Sequence, residues 1–102
     1  MGTMECTFSE EGNATVVAVN GRLDTITSLQ FKEILDEKID DVQELVLDFT
    51  DLAYLSSAGL RVVVYAYQYL EEKGLSMRIR NVNDTVMKVF HITGLAGDLA
   101  IE

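Results

Sequence analysis

The sequence predicts an α/β fold: a mixed β-sheet of about four or five strands packed against three or four α-helices, in the order β-β-α-β-α-β-α-β. Three observations lead there. Two alternating segments flank a Gly-Asn turn near the start, a short run apolar on both faces lies mid-chain, and stretches of helical period separate the later apolar runs. Strands separated by helices pair in parallel through right-handed crossovers, which places helices against a sheet.

Met4, Cys6 and Phe8 alternate with Glu5, Thr7 and Ser9, the pattern of a half-buried strand. Glu10-Glu-Gly-Asn13 then turns the chain into Ala14-Thr-Val-Val-Ala-Val19, giving a hairpin whose second strand is expected to end at Gly21. From Asp24 to Ile39, Phe31, Ile34, Leu35 and Ile39 fall on one helical face, with Asp24 or Thr25 as cap. Ile26 and Leu29 lie off that stripe. Leu45-Val-Leu-Asp-Phe49 suits a central strand covered on both sides, and an acidic turn leads from it into the next helix. That helix is predicted over 57–73, with Leu60, Val63, Val64, Tyr67 and Leu70 as its apolar stripe and Gly74 at the left-handed position past its end. Leu75 to Val82 reads as a strand. Asn83 or Asp84 caps a last helix whose inner face is Val86, Val89, Phe90 and Thr93, and a short terminal strand is expected near Leu99 to Ile101.

The 102 residues, 48% hydrophobic and 25% charged, fit one domain with one core, residues 1–102. Met1-Gly2-Thr3 ahead of Met4 is left out of the functional reading. Eight basic against seventeen acidic residues give a formal charge of −9, which repels phosphate backbones and anionic lipid, so neither nucleic acid nor membrane is the expected partner. A protein with a basic surface fits better. Without an apolar stretch of spanning length or a signal-like N-terminus, a cytoplasmic location is expected. The lone Cys6 allows no internal disulfide and is read as a core residue.

Catalysis has little to stand on. One His and one Cys, far apart, do not make a metal site, and His91, the one imidazole, is read as a solvated residue on the polar side of the last helix. No phosphate loop with a lysine is present, so neither a cofactor nor a catalytic residue is expected. Asp48, at the end of a central strand, resembles the phosphorylated aspartate of receiver domains, but the acidic pair and lysine that such a site needs have no counterparts. The most informative stretch is Leu45 to Leu60, where a strand passes through the acidic turn to Ser56 and Ser57 at a helix start. Unpaired N–H groups and the positive end of the helix dipole lie there, a position that accepts a serine as cap and a phosphate as modification. One serine is explained as the cap; the second is a candidate for modification.

Gly21-Arg-Leu-Asp-Thr25, Leu47-Asp-Phe-Thr-Asp-Leu-Ala-Tyr-Leu-Ser-Ser-Ala-Gly-Leu60 and Val89-Phe-His-Ile-Thr-Gly-Leu95 together resemble the bacterial anti-sigma factor antagonists of the STAS fold, across nearly the whole chain. The resemblance implies partner switching. The unphosphorylated antagonist binds an anti-sigma factor that is also an ATP-dependent serine kinase, freeing a sigma factor; phosphorylation ends the antagonism, and a PP2C-like phosphatase restores it. Many members carry Asp where this chain has Ser56, and in some the phosphorylated hydroxyl directly precedes the glycine, where this chain has Ala58. Ser57 is therefore the first choice of acceptor and Ser56 the second. The implied docking face takes Asp24, Thr25 and Ile26 from one loop. From the serine turn it takes Leu55, Ser56, Ser57, Ala58, Gly59 and Arg61, in a monomer or weak dimer. Arg61, four residues after Ser57 on the same helical face, is expected to position the kinase's nucleotide or screen the phosphate. Ile26 and Leu29 are candidate apolar anchors. Two alternatives stay open: a STAS scaffold subunit in a larger sensory assembly, and a receiver-like domain phosphorylated on Asp48.

Overall fold

A computed structural model describes residues 3–102. Its elements are β1 (Met4–Glu11), β2 (Ala14–Leu23), α1 (Thr27–Lys38) with a 3-10 turn at Ile39–Asp41, β3 (Glu44–Asp48), β4 (Leu52–Leu55), α2 (Ser57–Glu72), β5 (Ser76–Arg80) and α3 (Asp84–Ile92). The fold is a mixed five-stranded sheet with three α-helices, in the order β-β-α-β-β-α-β-α. β1 pairs antiparallel with β2, and β3 and β5 follow in parallel. The expected terminal strand is reduced to a single parallel bridge between Ile79 and Ile101.

β4 departs from expectation, because the sequence predicts only an acidic turn between the strand ending at Phe49 and the serines that open the next helix. The cause lies in β2, which does not stop at Gly21 but runs to Leu23 and so overshoots β3. Ala14–Ala18 pair with β3, then the register shifts at Gly21/Arg22 and the last residues pair with β4. Gly21 makes this possible: at φ 109° it adopts backbone that L side chains avoid, and a Cβ there would lie 2.2 Å from the Thr3 carbonyl oxygen. The glycine marks a bulge at which one strand changes neighbours.

One sheet face carries the core. Val17, Val19, Leu45, Leu47, Met77 and Ile79 pack against Phe31 and Leu35 of α1, Leu60, Val63, Ala66 and Leu70 of α2, and Val86 and Phe90 of α3. Along α2 the buried stripe is rotated from the expected one: Val62 and Ala66 are inside, while Val64 and Tyr67 are half-exposed. In α3 Val89 is half-buried and Thr93, just past the helix, is exposed. Cys6 likewise only packs against the core from the edge strand, and its partial burial pushes the thiol up to about 11. On the opposite face Ala14, Val16 and Val46 form a small cluster. The register puts Arg78 and Arg80 on that face, and they pair with Glu44, Glu102, Asp48 and Glu11 at 2.9–3.2 Å.

α2 ends as its sequence suggests. Gly74 sits at φ 75° and the Leu75 N–H returns to the Leu70 carbonyl, which closes the helix. Asp36 of α1 and Asp40 of the 3-10 turn after it accept hydrogen bonds from the Tyr65 and Tyr69 hydroxyls and so join this segment to α2. Among the described residues no helix is long and apolar enough to cross a membrane.

Candidate functional site at the β4–α2 junction

The end of β2 and the end of β4 lie side by side, so two loops distant in sequence meet at the start of α2. The Ser56 N–H donates to the Leu23 carbonyl at 2.9 Å, which ties the serine turn to the loop beginning at Asp24. Ser56 itself is the cap: extended in backbone, it accepts the Gly59 N–H on its Oγ at 3.1 Å. Ser57 is the first residue of α2 and is exposed. The two serines are thus distinguished by geometry. One hydroxyl is engaged with the helix backbone, the other faces solvent beside the N–H groups and positive dipole of a sixteen-residue helix.

Gly59 and Leu55 set how closely α2 approaches the sheet. A Cβ on Gly59 would meet Leu23 Cβ at 2.9 Å and Leu55 Cδ1 at 2.8 Å, so the first turn of the helix rests directly on the end of β2. Both residues are buried, Leu55 at 3% exposure. They hold the turn in place and do not reach its surface, a role different from the direct contact expected of them. Ala58 is half-buried beside them.

Asp24 is also turned inward. Its Oδ1 accepts the backbone N–H of Thr27 at 2.8 Å and of Ile26 at 3.0 Å, while the Thr27 hydroxyl donates to the Arg22 carbonyl at 2.6 Å. The Thr27 backbone N–H, followed by its hydroxyl, holds the Asp24 carboxyl below its ordinary range. Asp24 therefore shapes the loop that carries Thr25 and Ile26 to the surface. Ile26 is 70% exposed and Leu29, one turn on, 64%, an apolar pair left in water as its position off the stripe predicts.

On the other side of Ser57 runs a groove of about 390 Å³ along the outer face of α2. Leu60, Val64 and Tyr65 line it with Leu95 from beyond α3, and Ser57 and Arg61 stand at its rim. Arg61 is exposed and four residues from Ser57, as the spacing requires. The sequence reading missed this groove because it placed Val64 and Thr93 in the core. A signal was available: Val62, Val63 and Val64 are consecutive, and at 100° per residue they span too wide an arc for all three to face inward.

Asp48 is remote from this chemistry in kind. Burial pushes its carboxyl up, but the Thr50 hydroxyl and N–H, the Asn81 amide and the Arg80 guanidinium together outweigh that and hold it at about 2. Its oxygens are taken up in fixing the β3–β4 turn, which leaves a poor nucleophile. Among the described residues no group of three or more His, Cys, Asp or Glu side chains is placed to hold a metal ion.

The STAS domain family matches residues 7–102. An anti-sigma-B factor antagonist of Listeria monocytogenes is 30% identical over 89 residues, covering 84% of this chain and 76% of the relative. An anti-sigma F factor antagonist of Paenibacillus polymyxa is 30% identical over 82 residues, covering 78% and 70%. Among solved structures, an anti-sigma factor antagonist from Mycobacterium paratuberculosis shares the fold with a TM-score of 0.89 at 21% identity, covering 97% of this chain and 85% of that one.

Proposed function

The chain belongs to the STAS domain family, and from that premise we propose that it is an anti-sigma factor antagonist whose binding is ended by phosphorylation of Ser57. The observation that carries the reading is the division of labour at the turn. Ser56 is spent on capping, while Ser57 offers an exposed hydroxyl at a helix N-terminus flanked by two apolar surfaces. Its partner is an anti-sigma factor with ATP-dependent serine kinase activity, and sequestering that partner releases a sigma factor.

In the transfer, Ser57 Oγ attacks the γ-phosphorus of ATP, loses its proton and takes the phosphoryl group, and ADP leaves. The product carries about −1.5 to −2 charges at neutral pH. The helix dipole accepts them without unfolding the turn. The docking face changes instead: unpaired negative charge meets the partner where a neutral hydroxyl had been, a cost of several kcal/mol. A PP2C-like phosphatase hydrolyses the ester and restores binding. In this reading the chain is the kinase's substrate and a binding protein, and the base that takes the Ser57 proton belongs to the kinase.

Incubation with a candidate anti-sigma kinase and ATP, followed by intact-mass and peptide mapping, tests this. One added phosphate is expected in the wild-type chain and in Ser56→Ala, and none in Ser57→Ala. A phosphate that persists in Ser57→Ala, or that is labile in base as an aspartyl phosphate is, would overturn the assignment.

A further inference from the structure

Arg61 links the two features that flank the serine turn. It stands on the rim of the groove floored by Leu60, Val64 and Leu95, and it lies one helical turn from Ser57. Lys32, Lys73, Arg78 and Arg80 are each held by a carboxylate, whereas Arg61, like Arg22, Lys38 and Lys88, has no ion pair among the described residues; of these four only Arg61 lines the groove. On a chain of net charge −9, this guanidinium and the start of α2 together place positive charge at the Ser57 end of the groove, while Asp36 is held by the Tyr65 hydroxyl further along it. The chemistry complementary to the Ser57 end is an apolar side chain with a carboxylate beside it.

We propose that Arg61 is shared between two states of the switch. Without phosphate, its guanidinium receives a carboxylate of the anti-sigma partner whose neighbouring apolar side chain fills the groove; with phosphate on Ser57, it turns to the phosphate and the groove mouth becomes anionic. The proposal rests on Ser57 as the phosphate acceptor. Physically the phosphate wins the guanidinium because it is already attached one turn away, precedes the base along the helix in the favourable order, and matches the planar fork with two oxygens. Phosphorylation then removes the partner's anchoring cation as well as adding repulsion.

The test uses phosphoserine installed at position 57 during translation, so its outcome does not depend on whether any kinase acts. Phenylacetate, an apolar ring bearing a carboxylate, is titrated against methyl-labelled chain, with phenethylamine as the oppositely charged counterpart. Phenylacetate is expected to shift the Leu60, Val64 and Leu95 methyl signals of the unphosphorylated chain, and phenethylamine to do so far more weakly. Arg61→Gln should weaken phenylacetate about threefold, the size of one exposed ion pair, with Arg61→Lys intermediate. Phosphoserine at position 57 should weaken it about tenfold. In the phosphorylated chain, the ³¹P titration midpoint of the phosphate should rise by about half a unit in Arg61→Gln. Methyl signals that ignore phenylacetate, or that respond equally to both probes, or a ³¹P midpoint indifferent to Arg61, would overturn the sharing. Failure of the kinase mapping would instead remove the phosphate switch while leaving the groove measurements standing.

Discussion

Gly59→Ala separates two opposite expectations for one substitution. In a helix, alanine is better than glycine by about 1 kcal/mol, so propensity alone makes the variant more stable. The packing argues the other way. The new Cβ lies 2.8 Å from Leu55 Cδ1, 2.9 Å from Leu23 Cβ and 3.2 Å from the Leu23 carbonyl oxygen. Leu55 Cδ1 is a side-chain end that can turn aside. Leu23 Cβ is fixed to β2, so the first turn of α2 has to lift, which stretches the 3.1 Å bond from the Gly59 N–H to the Ser56 cap. Overpacking of this kind costs about 1–3 kcal/mol, and the glycine sits in the first turn, where the propensity gain is reduced. The expected net is a loss of about 1–2 kcal/mol, or roughly 4–16 °C in Tm for a chain of this size. Urea and thermal unfolding measure it. A double-mutant cycle with Leu55→Ala should show coupling of only about 0.5 kcal/mol or less, because Leu55 Cδ1 can turn aside while the contacts with Leu23 remain. A Gly59→Ala chain as stable as the wild type would refute the close approach and the placement of Ser57 that depends on it.

Ser56→Ala removes the cap of α2 and should cost about 1 kcal/mol in unfolding free energy, whereas Ser57→Ala should leave stability nearly unchanged. Asp48 gives a pH dependence. Its carboxyl is lowered from an ordinary 3.8 to about 2, so the folded state favours the charged form; the stabilisation is present above pH 4 and is lost as pH falls from about 4 towards 2. The amount is on the order of 1–2 kcal/mol, and acid unfolding of Asp48→Asn should lack that step. Ile26→Ser alters a residue already 70% exposed, so it should weaken anti-sigma factor binding about tenfold while Tm stays within a degree or two.

The sequence made α2 and α3 legible because their caps, periodicity and closing residues agree: Ser56 and Asn83 accept the N–H groups their positions demand, and Gly74 is left-handed. The hairpin and β3 were legible for the same reason. β4 was not, since Leu52–Leu55 owes its strand to the overshoot of β2, a long-range pairing that no local pattern announces. Gly21 was read as an end and is a bulge, and the two differ only in whether another strand waits alongside. At the site, the serine turn and the exposed Ile26 and Leu29 could be read from spacing. The bonds from the Ile26 and Thr27 N–H groups to Asp24 are local, and the expectation of Asp24 as a helix cap anticipates them; the groove beside Ser57 depends on Leu60 and Val64 meeting Leu95 in space, which sequence order conceals.

In the function proposed for this chain, phosphate on Ser57 governs binding of an anti-sigma factor. Calorimetric titration of candidate anti-sigma factors against the chain with serine, and then phosphoserine, at position 57 tests it most directly. A complex is expected with the serine form and at least about tenfold weaker binding with the phosphoserine form, both forms melting alike. Equal affinity for the two forms would contradict it.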